Sequence, residues 1–432
     1  MTERFDIRAV RESELEQAIA LADRVFRADL RRSMASSLPR VFSPSLLHSI
    51  GAFLDGRLVS FAGLVPSVVR IGAARVTLLS YGAVCTDEGY RGRGLASRIL
   101  HYAQAYAREA DVSLLLVSGE LALYLQAGFR PYGESLRCVL RRSPAREAAN
   151  DAMAAVDPLT GSELRVESAS SQDSLRLYRL AAARSVAYDQ SVWDLADLLR
   201  AGSIAAIRDW RQDAYLVWRQ GEAIAMLVLA YGQAADGERR GQAIEWAGSW
   251  EAVVSAAEAL LWRLDLAEIT LHAAGSLRAS VSPGDGGSSV PEQGERSAVS
   301  SPAEVAMRMG RADAVAEISP GLCAASIDVS VCRNDGTLLV SRPDLLFREL
   351  EPYWSGLGLG SEALPRLEMQ PGGRFVVRIG DTATPPLSQE ELSRLLFGCA
   401  GEPSPVALQR LGETATACFP VPLPYMKGLN FV

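Results

Sequence analysis

The segment Val84-Cys85-Thr86-Asp87-Glu88-Gly89-Tyr90-Arg91-Gly92-Arg93-Gly94-Leu95-Ala96 constrains the fold of this chain more than any other. Residues 75–84 read as a strand, and Leu95, Ala96, Ile99, Leu100, Ala103 and Tyr106 then recur at helical spacing. The connection between them, Arg91-Gly92-Arg93-Gly94, lacks a Cβ at two of its four positions. Such a loop turns successive backbone N–H groups outward at the positive end of a helix, which attracts phosphate. Arg91 and Arg93 add guanidinium donors suited to phosphate oxygens. The segment therefore predicts a phosphate cradle.

Two ligand classes compete for it. Gly92-x-Gly94-x-x-Ser97 approaches the dinucleotide fingerprint, and Glu120 follows the next strand where a ribose-binding acid would sit. The context opposes that reading. Dinucleotide glycines follow their strand almost directly, whereas here a polar stretch intervenes. The strands before it also read as an antiparallel hairpin, 52–54 and 58–65 around Asp55-Gly56-Arg57.

These residues resemble the GCN5-related N-acetyltransferases. Arg91-Gly92-Arg93-Gly94-Leu95-Ala96 is similar to the (Gln/Arg)-x-x-Gly-x-(Gly/Ala) loop with which that family grips the pyrophosphate of acetyl-coenzyme A. A strand at 112–117 is followed by Tyr124-Leu125-Gln126-Ala127-Gly128-Phe129, which resembles the family's closing Tyr-x-x-x-Gly-Phe element. The resemblance covers residues 1–135. It implies an acetyl-coenzyme A site formed by Val84, Cys85 and Thr86 on the strand and Arg91 to Ala96 on the loop.

Composition bounds the rest. A chain of 432 residues is expected to form two to three domains. No apolar run approaches the ~20 residues of a membrane span, and Met1-Thr2-Glu3-Arg4-Phe5-Asp6 has no signal-peptide core. A net charge of −7 argues against a nucleic-acid surface and suits an amine-bearing substrate. The six cysteines form no Cys-x-x-Cys pair and read as reduced and buried, so a cytoplasmic enzyme without membrane partners is expected. His48, His101 and His272 share no metal-like spacing, and no metal is expected.

Residues 5–10 alternate as a first strand, and 15–27 read as a helix. The serine-rich stretch 31–44 lies where acceptor-binding loops fall in this family. Residues 160–275 read as a worn copy of the first unit, with a hairpin around Gly221, a strand at 242–247, a helix from Trp250 and a strand at 267–272. Gly248-Ser249 stands where the arginine-glycine loop should be, so this copy is expected not to bind cofactor. Residues 280–303 are rich in Gly, Ser and Pro and read as a mobile linker. Strands at 324–332 and 374–379 and a helix opened by Ser388-Gln389-Glu390-Glu391 suggest a third, α+β unit.

That order of parts resembles the enhanced-intracellular-survival (Eis) type of acetyltransferase. It implies an α/β fold: a catalytic unit at 1–150, a degenerate copy at 151–303, and a sterol-carrier-like α+β unit at 304–432. In that family a tyrosine on the closing helix is the general acid and the C-terminal carboxylate the general base, which points to Tyr124 and Val432. Glu120 is the alternative base. The apolar tail that carries Pro420, Pro422 and Pro424 is expected to dock. The implied reaction is direct acetyl transfer to a primary amine of a small molecule or peptide, with self-association left open. A non-catalytic acyl-coenzyme A sensor or scaffold is the rival reading.

Overall fold

The computed structural model describes residues 4–27, 32–142, 164–274, 325–398 and 406–432. The first unit begins with β1 (Asp6–Ala9), helix α1 (Leu15–Phe26) and the single turn α2 (Met34–Ser37). A hairpin of β2 (Ile50–Leu54) and β3 (Arg57–Ile71) follows. Asp55 and Gly56 close it with φ of 49° and 80°, the left-handed pair that a two-residue turn between twisted strands requires. Next come β4 (Ala74–Thr86), α3 (Leu95–Glu109), β5 (Leu114–Val117), α4 (Ala122–Gln126) and β6 (Arg130–Pro131). β3 and β4 are antiparallel, whereas β4 and β5 run parallel on either side of the α3 crossover.

β7 (Glu134–Arg142) leaves this sheet and pairs antiparallel with strands far along the chain. The second unit holds β8 (Leu164–Ser168), β9 (Val186–Tyr188), β10 (Arg211–Arg219), β11 (Glu222–Gln233), β12 (Arg239–Gly248) and β13 (Glu268–Ala274). β10, β11 and β12 are successively antiparallel, and β12 runs parallel to β13 across the helix Trp250–Arg263. The worn copy thus repeats the hairpin-strand-helix-strand order of the first unit.

After residue 324 come β14 (Ala325–Arg333), β15 (Thr337–Val340), β16 (Arg366–Gln370), β17 (Arg374–Ile379) and β18 (Thr382–Ala383). The sequence assigns the strand at 324–332 to the third unit. Instead β14 pairs with β7 in the second sheet, and β15 enters the first sheet between β5 and β6. The sheet orders are β1-β2-β3-β4-β5-β15-β6, with β9 on β3, and β14-β7-β13-β12-β11-β10-β8. β15 is buried throughout and gives β5 and β6 a partner, removing open edges that would otherwise attract other chains. Among its described residues the third unit keeps β16-β17-β18 and its helices. Strand pairing therefore runs across the divisions expected at 150 and 303, both of which fall outside the described residues, as does the 280–303 linker. The capping box at Ser388 forms as expected, with Glu391 N–H donating to Ser388 Oγ at 3.2 Å.

The tail is stitched into three hydrophobic cores. Val421, Leu423 and Met426 join the core around Trp354, Leu429 joins the second unit's core, and Val432 packs against the first unit's core beneath α1 and α2. Cys85, Cys138 and Cys418 are buried, while Cys332 is only half-buried, and Cys323 and Cys399 lie outside the described residues.

Candidate active site

The loop after β4 is anchored at its base and open at its tip. Asp87 accepts from the Gly89 amide at 3.2 Å and from Arg24 and Arg57 at 3.0 and 2.8 Å. Gly92 and Gly94 then take φ of 76° and 70°, which side chains with a Cβ adopt only under strain. A Cβ at either would meet nothing within 4 Å, so the loop faces open space. Gly94 stands at the N-terminus of α3 without a side-chain cap, leaving the first-turn amides for a ligand. Arg91 and Arg93 are exposed, and Arg93 lies over the Tyr90 ring at 5.0 Å. Leu95 is buried beneath the helix, and Ala96 is half-buried beside it. This arrangement fits the pyrophosphate expected there.

β4 and β5 form a fork. Their parallel pairing runs from Leu78↔Leu114 to Tyr81↔Val117 and stops. On the other edge of β4 the register slips between Phe61 and Gly63, and Ala83 takes φ of 49°. That bulge twists Gly82, Ala83 and Val84 away from β5 and frees their backbone groups on that side. Cys85 faces inward, where burial pushes its thiol up to about 12. Such a thiol stays protonated and serves as packing.

Val432 lies in the fork. Ser118 Oγ donates to the main-chain oxygen of Val432 at 3.3 Å. Gly82 leaves room for this approach, because a Cβ there would overlap the carboxyl carbon and oxygen of Val432. Tyr124 flanks the same place. Its ring is 5 % exposed, edge-on to Tyr81 at 6.1 Å, and 3.4 Å from where a Gly119 Cβ would stand. Burial pushes its phenol above the ordinary value, so it is protonated at neutral pH. Glu120 is elsewhere in character: it is largely exposed and paired with Arg333 at 3.4 Å. The fork thus gathers Tyr124, Gly82, Ser118 and Val432, with Glu120 on its rim.

Sequence reasoning passed over Gly82 and Ser118. The available signal was a lone glycine inside a strand, which marks a bulge or a close backbone approach. The stretch 31–44 also differs from a solvent loop. Leu38, Val41 and Phe42 are buried, and the Ser37 carbonyl accepts from Ser203 Oγ of the second unit at 2.7 Å.

The second copy has the fork without the cradle. β12 and β13 separate after Gln242↔Thr270, yet the Trp246 indole spans the gap and donates to the His272 carbonyl at 2.7 Å. Ser249 Oγ accepts from the Ala252 amide, so the helix start is capped by its own side chain. A cavity of about 960 Å³ lies beside it, lined by Tyr188, Ile224, Glu245, Trp250 and other residues of this unit and the tail.

Residues 6–132 match a family model described as an acetyltransferase (GNAT) domain. No protein of curated function matches the chain by sequence. Among solved structures, a GCN5-related N-acetyltransferase from Anabaena variabilis superposes with a TM-score of 0.54 at 13% identity, over 98% of this chain and 97% of that one. One from Kribbella flavida gives 0.53 at 15%, over 91% and 89%. Eis1 from Mycobacterium abscessus gives 0.51 at 14%, again over 91% and 89%. At these identities the likeness establishes a shared fold along nearly the whole chain.

Proposed function

We propose that this chain, whose residues 6–132 match an acetyltransferase (GNAT) domain model, is an acyltransferase that transfers acetyl from acetyl-coenzyme A directly to a primary amine. The observation that carries this reading is the fork between β4 and β5, with an open cradle at one end and a phenol and a carboxyl group at the other.

In this mechanism the amides of α3 and the loop, with Arg91 and Arg93, hold the pyrophosphate. The backbone at Val84 and Thr86 aligns the pantetheine arm, and the Val84 amide donates to the thioester carbonyl, stabilising the oxyanion that forms on attack. The amine nitrogen forms its bond to the acyl carbon as the carbon–sulfur bond breaks. The Val432 carboxyl group takes the amine proton, and the Tyr124 hydroxyl gives one to the departing thiolate. Proton removal matters because only the neutral amine carries a nucleophilic lone pair. Glu120, already paired with Arg333, is the weaker candidate base.

The second unit serves as scaffold in this reading, and the third as a sterol-carrier-like support for β15 and the tail. The test is release of free thiol from acetyl-coenzyme A across aminoglycoside, polyamine, peptide N-terminal and peptide lysine acceptors. The full chain is compared with one carrying two alanines after Val432. Acceptor-dependent release that the added alanines suppress is the expected result. No acceptor-dependent release from a chain that still binds coenzyme A would leave the sensor reading in its place.

A further inference from the structure

The residues before Val432 are held between the first and second units. Leu429 is buried in the second unit's core and Phe431 packs against the same core, while Val432 packs into the first unit's. Between Leu429 and Phe431, Asn430 is 8 % exposed and its Oδ1 accepts two hydrogen bonds. One comes from Arg40 Nη1 of the first unit at 3.1 Å, the other from Gln190 Nε2 of the second at 2.8 Å.

Arg40 is itself fixed. The second terminal nitrogen of Arg40 donates to Asp194 Oδ1 at 2.8 Å. Asp194 is locked in a reciprocal cap with Ser191, whose amide and hydroxyl donate to its other oxygen at 2.8 and 2.6 Å. Gln190 directly precedes Ser191, so one short stretch of the second unit supplies the Gln190 donor and the anchor for Arg40. Ser118 offers Val432 a single bond of 3.3 Å, too long to aim a carboxyl group by itself.

We infer that Asn430 is a positioning residue for acyl transfer, and that clamping it through Arg40, Gln190 and Asp194 is what the second unit contributes to the reaction. Only a few backbone torsions separate the clamped amide from the Val432 carboxyl group. Fixing one end of that short lever fixes the reach of the other into the fork beside Gly82. This inference rests on the reading of Val432 as the base.

The test uses the full chain with Asn430→Leu, Asn430→Asp and, separately, removal of Val432. Leucine preserves volume but accepts nothing. Asn430→Leu is expected to lower kcat about 10²-fold, the scale of a misplacement near 1 Å. Its affinity for coenzyme A should stay unchanged and its melting temperature fall by no more than a few degrees. Aspartate keeps an oxygen for both donors, so Asn430→Asp should recover most of the parent kcat. Parent-level kcat in Asn430→Leu overturns the clamp, and so does an equal loss in the two variants. If removing Val432 abolishes turnover while Asn430→Leu behaves as the parent, the clamp alone fails. If removing Val432 leaves turnover intact, the underlying reading of the base fails.

Discussion

The main-chain carbon and oxygen of Val432 occupy the space that a side chain at Gly82 would need. Gly82 is not among the glycines with positive φ, so alanine fits its backbone, and the atoms its Cβ would meet most closely are the main-chain carbon and oxygen and Cγ2 of Val432. Gly82→Ala is therefore expected to fold and bind coenzyme A while losing about 10²-fold in kcat, on the scale of a displaced catalytic group. Steady-state kinetics beside a melting curve checks this. A parent-like kcat would mean that the approach of Val432 to β4 has no part in turnover.

Tyr124→Phe should keep the fold, since the ring packs against Tyr81 and Phe129 and only the hydroxyl is removed. Turnover should fall about 10²-fold, as is typical for a general acid, with coenzyme A affinity nearly unchanged. Because burial raises the phenol, any alkaline loss of activity below pH 10 should persist unshifted in the variant. Full turnover on the best acceptor would take Tyr124 out of the mechanism.

At the cradle, Gly94→Val forces a β-branched residue into the left-handed region at a cost of about 1–2 kcal/mol and places its side chain where the phosphates would lie. Arg91→Ala and Arg93→Ala remove charge-assisted donors and should each weaken coenzyme A binding roughly tenfold at low salt, less at high salt. Calorimetric titration at two ionic strengths is the measurement. Unchanged affinity in all three variants would place the phosphates elsewhere.

His272 connects structure to acid stability. Burial pushes its imidazole down to about 4; Asp335 opposes this, and Arg137 and Lys427 add to it. The ring stacks on Tyr425 at 4.3 Å and 6°. Between pH 6.5 and 4 the unfolded chain binds a proton at this residue that the folded chain refuses. Stability must therefore fall as pH drops through that window and level off below it. The contribution is about 3 kcal/mol. In urea titrations His272→Gln should show a shallower decline from pH 6.5 to 4. An identical slope would assign the loss to other groups.

Local order was readable where residue chemistry determines it. The repeat of apolar residues from Leu95, the Asp55-Gly56 turn and the Trp250–Arg263 helix each follow from short-range spacing and capping. Long-range pairing was not. Four buried residues, Thr337–Val340, suit any open sheet edge, and nothing in them names β5 and β6 as partners. Glu120 reads as an alternative base until the fold brings Arg333 beside it from 213 positions away. Tyr124 and the glycine loop were visible because their geometry is encoded within a few residues. The clamp on Asn430 joins residues 390 apart and has no local signature.

The insertion of β15 between β5 and β6 also bears on how the molecule is made. A ribosome that has released residues 1–142 has delivered the cradle, α3 and Tyr124, but not the strand that completes the sheet beneath them. Until Thr337–Val340 emerge, β5 keeps an unpaired edge and Leu114–Val117 have no cover on that side. Pairing over so long a sequence separation is slow, and exposed strand edges invite association in the meantime. A truncated chain ending near residue 142 should therefore be recovered as aggregate rather than as a small working enzyme.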